Sequence, residues 1–336
     1  MSAIAGFITL LLVLAQDAGN GADSARTTPE ETIRRVAIVG ASVSAGFGVV
    51  VEVRQEEEPG HAKGMIAMKD VLMAADGEAE VTYLDLSSHL FFSRPREFAR
   101  SAVERTLAWK PDLVLAVDFL FWFAYGYRAE GSRLDSLRTG LALLDELAAT
   151  GVPMVIGELP DLEGIRSFVI TEGQIPVGTT IREANRIINA WASERDNVGV
   201  VPIAGLSESL RQSEGLVVGE YEWNRQGTKR DLIAADKLHP TFDGLVCLVQ
   251  AMEVTARGIE APGGRLPPLD LEVEEVLVRL RARRVAPRRR LRRGGESGLV
   301  VSTSRAGPGA GPGPARNPLV RWRTRPPCVR HGSRAT

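Results

Sequence analysis

Short apolar runs alternate with helix-like stretches from about residue 34 to residue 258, and this alternation leaves few architectures open to the chain. The strand-like runs cover residues 35–39, 80–84, 113–117, 153–156 and 198–202. Between them lie helix-like stretches at 64–75, 97–108, 132–150 and 180–195, and a last helix is expected over 242–258. In the third of these, Leu137, Leu141, Leu144 and Leu147 recur at helical spacing, while Asp135, Asp145 and Glu146 occupy other faces. Strands joined through helices require right-handed crossovers and produce a parallel sheet covered on both faces. The unbroken apolar run Leu113-Val114-Leu115-Ala116-Val117 suits a strand buried on both sides. The expected fold class is α/β: a three-layer α/β/α domain on a five-stranded parallel, flavodoxin-like sheet, with ligands bound at the carboxyl ends of the strands.

Composition divides the chain. Hydrophobic residues make up 44% and charged residues 25%, as in a soluble globular protein. The net charge is −1, yet from Arg281 onward there are fifteen arginines, no lysine and one acid, Glu296, which leaves residues 1–280 at −15. An acidic body argues against nucleic acid as a partner of the folded domain. Residues 4–15 are apolar, too short to span a membrane and about the length of a signal-peptide core; a tethering or buried helix is the alternative. Residues 1–25 are therefore read as an export segment with a periplasmic or extracellular destination, 26–33 as a linker, and 34–283 as the folded domain. Residues 284–336 form a basic tail rich in Gly, Pro and Arg. That composition predicts disorder, either as a tether to anionic surfaces or nucleic acid or as an unselected extension. Cys247 and Cys328 are the only cysteines, too few for a disulfide framework or a cysteine metal site. No metal or organic cofactor is expected.

Two short motifs carry chemistry. After the first strand comes Gly40-Ala41-Ser42-Val43-Ser44-Ala45-Gly46, where a turn of small residues exposes Ser42 at the rim of the sheet. Such a turn can also aim backbone N–H groups, Val43 among them, at an oxyanion. By itself the pattern equally describes a plain turn or a phosphate cradle. Before the last helix stands Asp236-Lys237-Leu238-His239-Pro240, in a chain with four histidines. A serine hydroxyl is a poor nucleophile at neutral pH and needs a base that is itself oriented by a third group, which Ser42, His239 and Asp236 could supply. The alternative for the second motif is a solvated aspartate beside a helix-flanking histidine.

Taken in order, the two motifs resemble those of the SGNH (GDSL-type) hydrolase family, over about residues 34–258. The resemblance implies Ser42 as nucleophile, His239 as general base, Asp236 as orienting carboxylate, and a small-molecule or glycan ester as substrate. Departures from the family pattern are specific. Ala41 stands where the family has the Asp of Gly-Asp-Ser. The glycine expected after the second strand is absent from Leu84-Asp85-Leu86-Ser87-Ser88-His89, leaving Ser87 or Ser88 as amide donors. The family's Gly-x-Asn-Asp becomes Val117-Asp118-Phe119-Leu120-Phe121-Trp122, without the asparagine that completes the oxyanion hole. Loss of one such donor costs about 10²–10³ in rate. Asp118, Phe119, Phe121 and Trp122 are candidates for lining the substrate pocket, with core packing as the alternative for the aromatics. The functional expectation is ester hydrolysis through an acyl-enzyme. Its competitor is a catalytically weakened or non-hydrolytic binding or acyl-transfer protein.

Overall fold

A computed structural model describes residues 33–54, 61–76, 80–211, 215–224, 230–259 and 269–282. The expectations for the export segment, for most of the linker and for the basic tail lie outside these residues. The elements run β1 (Arg35–Ile38), β2 (Val50–Arg54), β3 (His61–Met65), α1 (Met68–Ala75), β4 (Thr82–Asp85), α2 (Pro95–Trp109) and β5 (Leu113–Ala116). They continue with α3 (Phe121–Ala124), α4 (Arg133–Ala148), β6 (Met154–Gly157), α5 (Gly178–Ser193), β7 (Val198–Val201) and α6 (Ile203–Arg211). The hairpin of β8 (Leu216–Val218) and β9 (Tyr221–Trp223) follows, and then α7 (Phe242–Arg257) and α8 (Val273–Ala282).

Five strands form one sheet in the order β4-β1-β5-β6-β7, and every pairing in it is parallel. This is the flavodoxin-like order anticipated from the alternation of elements. Period-two geometry sends successive side chains to opposite faces, and both faces are covered. Val36, Ile38, Leu113 and Leu115 join the apolar layer formed with α1, α7 and α8. Ala37, Val39, Val114 and Ala116 join the layer formed with α2, α3, α4 and α5.

Residues expected to be loop or helix form a hairpin instead. His61 begins β3 and pairs with Arg54 of β2, and Gly64, expected to open a helix-like stretch, pairs with Val51. Ile66 N donates to Val49 O at 3.0 Å and closes this ribbon, so α1 starts only at Met68. The β8–β9 hairpin, α6 and α8 are further elements that the alternation did not announce. Among the described residues, no helix is long and apolar enough to cross a membrane.

Candidate active site

The turn after β1 is built around a carboxylate from the neighbouring strand. Asp118 follows β5, which pairs with β1, so its side chain reaches the segment that leaves Ile38. Asp118 Oδ1 accepts from Ala41 N at 2.9 Å and from Ser44 Oγ at 2.6 Å. Asp118 Oδ2 accepts from Val43 N at 2.9 Å and Ser44 N at 3.2 Å. Three amides and a hydroxyl are thereby tied to one carboxylate, in a geometry where charge-assisted bonds are strongest. Gly40 leaves room for the arrangement, because a Cβ there would lie 2.2 Å from Asp118 Oδ1 and 2.5 Å from Ser44 Oγ. Gly46 closes the turn at φ +74°, and a Cβ at that position would strike Ile66 O at 1.9 Å.

The second motif folds into a tight turn at the entry to α7. Ala234 N donates to His239 O at 2.8 Å, and Lys237 takes the left-handed conformation at φ 61°. Thr241 caps α7 by accepting from Gly244 N at 3.1 Å. Asp236 and His239 are both buried. Asp236 Oδ1 accepts from Leu238 N at 3.0 Å and His239 N at 2.9 Å, while Oδ2 lies 2.6 Å from His239 Nδ1. On the other side of the ring, His239 Nε2 lies 2.9 Å from Ser42 Oγ. Burial opposes ionisation of Asp236, but the hydrogen bonds from the His239 and Leu238 amides and from the imidazole outweigh it and hold the carboxyl below its ordinary range. An ionised Asp236 requires the proton on Nδ1, so neutral His239 presents Nε2 as acceptor to the Ser42 hydroxyl. Phe47 covers the imidazole with ring centroids 4.5 Å apart and also meets His89 edge-on at 5.7 Å.

Ser42, Asp236 and His239 are thus brought together, whereas the amides expected to face an oxyanion are engaged elsewhere. Val43 N is held by Asp118, Ser87 N donates to Asp85 Oδ1 at 3.0 Å, and Ser88 N donates to Gly40 O at 3.0 Å. The amide that sequence reasoning passed over is that of Ser42 itself: among the described residues nothing accepts from it. No sequence signal reveals this, because it follows from which neighbouring amides Asp118 occupies.

Beside Ser42 lies a cavity of about 670 Å³. Phe121 lines it, stacked on Tyr125 at 4.1 Å, and so does the edge of Asp118. Asp118 borders the cavity, and the hydrogen bonds of its carboxylate go to the β1 turn. Phe119 and Trp122 do not line the cavity. Phe119 is wholly buried between Phe91 and Phe123, and Trp122 packs on Phe121 and Phe92. Among the described residues, no cluster of three His, Cys, Asp or Glu side chains could hold a metal.

No family model matches the chain, and no curated protein matches it. Solved structures similar in fold include Axe2, an acetylxylan esterase from Geobacillus stearothermophilus, at 16% identity and a TM-score of 0.44, covering 66% of this chain and 94% of that one. LAE5, an alpha/beta hydrolase enzyme from the metagenome of Lake Arreo, Spain, is 13% identical at a TM-score of 0.42 and covers 68% of this chain and 96% of that one. BT4096, a gut microbial diltiazem-metabolizing enzyme, is 10% identical at a TM-score of 0.39, covering 68% and 48%.

Proposed function

We propose that the protein is a serine esterase, a divergent relative of the SGNH hydrolases, that cleaves carboxylic esters of small molecules or glycans. The observation that carries this reading is the continuous chain from Ser42 Oγ through both ring nitrogens of His239 to Asp236 Oδ2, with contacts of 2.9 and 2.6 Å. In the reaction, Ser42 Oγ attacks the ester carbonyl carbon as His239 Nε2 takes its proton. Asp236 fixes the tautomer and stabilises the imidazolium. The uncommitted Ser42 amide faces the developing oxyanion, and collapse of the tetrahedral species expels the alcohol with the proton returned from Nε2. Water, deprotonated by the same imidazole, then releases the acid from the acyl-serine. Export through the residues 1–25 segment, with the basic tail outside the folded unit, belongs to the same proposal.

A fluorophosphonate probe tests the reading. Covalent labelling of the folded protein that disappears in Ser42→Ala supports it, and no labelling of folded wild-type protein defeats it. A weakened or acyl-transferring relative is the second reading. The engagement of the Val43, Ser87 and Ser88 amides favours it, together with the absence of an asparagine from residues 117–126. Under that reading the probe labels Ser42, but hydrolysis of activated esters falls short by about the 10²–10³ that one oxyanion donor supplies.

A further inference from the structure

We infer that the cavity beside Ser42 is an acyl-chain pocket, and that the preferred substrates are esters of straight-chain acids of about eight to twelve carbons rather than acetate esters. The position of the reacting carbonyl rests on the esterase reading above; the chain preference rests on the cavity alone.

The cavity begins at Ser42, Val43 and Leu238 and extends to Leu210 of α6, Leu216 of β8 and Cys247 of α7. It thereby passes from one apolar layer of the domain to the other: Leu238 packs with the layer of α2, α4 and α5, and Leu216 and Cys247 with that of α1, α7 and α8. Among the described residues four charged ones border it, and none of these offers an unengaged buried group. The Asp118 carboxylate serves the β1 turn. Glu158 accepts from Asn189 Nδ2 at 2.8 Å and from Ala204 N at 3.3 Å. Arg166 and Lys237 are exposed. Among the described residues, and apart from the Cys247 thiol, the only uncharged polar side chains on the wall are Ser42 and Ser207. Cys247 is itself buried, and burial pushes that thiol up to about 12.

Hydroxyl-rich acyl partners need buried donors and acceptors that match them, since an unmatched polar group is rejected strongly. A methylene chain needs only apolar walls and room. At about the volume of a liquid water per methylene, ~30 Å³, a ten-carbon chain takes roughly 300 Å³ and fits with space to bend. An acetyl group would leave most of the 670 Å³ unfilled.

The test uses the full chain and p-nitrophenyl esters from acetate to decanoate, below their micellar concentrations, together with calorimetric titration of decanoate. Burying each methylene is worth about a fourfold gain, and acetate and octanoate differ by six, so kcat/KM should rise at least about 100-fold between them, well under that ceiling. Leu206→Trp, on the half-buried face of α6 that lines the cavity, should move the optimum to shorter chains and weaken decanoate binding about tenfold or more. If Leu206→Trp does not fold, Leu210→Phe takes its place. Acetate hydrolysis with a flat or falling profile overturns the inference while leaving the esterase reading intact. If no ester is cleaved, the esterase reading fails and decanoate binding decides: binding weakened by the plugging variant supports the pocket, and no binding to folded protein overturns it.

Discussion

Replacing Asp118 by asparagine keeps the shape of the side chain and removes one of its two acceptor oxygens. The better of the two amide orientations puts Nδ2 where Oδ1 now sits. The Ser44 hydroxyl can rotate to accept from it, but the Ala41 amide loses its acceptor at 2.9 Å. Leaving one buried N–H unpaired costs about 1–3 kcal/mol, and the bonds that remain from Val43 and Ser44 lose their charge assistance. The sum is a destabilisation of about 2–4 kcal/mol. At about 2–4 °C of Tm per kcal/mol for a domain of this size, thermal unfolding should move down by roughly 4–16 °C. Release of the turn also lets Ser42 drift from His239 Nε2, and a displacement of about 1 Å costs up to about 100-fold in rate. The assay pairs a thermal melt with the rate of fluorophosphonate labelling, with Ser42→Ala as a control of near wild-type stability. Asp118→Asn that melts within about 1 °C of wild type and labels at the same rate would refute the clamp.

The same network can be approached from Gly40, where a Cβ has no place between Asp118 Oδ1 and Ser44 Oγ. Gly40→Ala should cost about 1–3 kcal/mol in a urea titration and slow labelling, and an unchanged midpoint would contradict it. Asp236, held below its ordinary pKa, contributes stability that is fully present above about pH 4–5 and is lost as pH falls through its native value. The stability gap between wild type and Asp236→Asn should therefore stay constant from neutral pH down to that window and shrink below it; a gap that widens on acidification contradicts the sign. Cys247, its thiol pushed up to about 12 by burial, should resist iodoacetamide at pH 8 in the native protein and react once unfolded, as peptide mass spectrometry would record.

The sheet was legible because its strands are continuous apolar runs between amphipathic helices, a pattern that survives in one dimension. Elements outside it were not. β2 and β3 carry Glu52, Arg54, His61 and Lys63 and flank an acidic stretch, so they read as a charged loop. In α6 the spacing of Ile203, Leu206 and Leu210 suits a helix, but the element is only nine residues long and contains Gly205. The juxtaposition of Ser42, His239 and Asp236 could be anticipated from strand order, since segments leaving the carboxyl edge of one sheet converge there. The part played by Asp118 could not. Its clamp spans 77 residues to Ala41, and a carboxylate after a strand looks the same whether it faces a substrate or a neighbouring turn. That the Val43, Ser87 and Ser88 amides are engaged elsewhere was hidden for a related reason: a backbone N–H is present at every residue except proline, and only the fold decides which ones are already taken.

The distance in sequence between Ser42 and His239 also sets an order of events in biosynthesis. Every strand of the central sheet precedes residue 202, and Asp118 lies within that part, so the clamp around Ser42 can form while the remainder of the chain is still being translated. The imidazole arrives 197 residues after the hydroxyl, carried on the turn that opens α7. On the proposed serine-esterase reading, the serine is an ordinary alcohol until α7 docks. On that reading, acquisition of probe reactivity marks the docking of α7, and a nascent chain halted before residue 236 would carry the Ser42 turn with nothing to activate it.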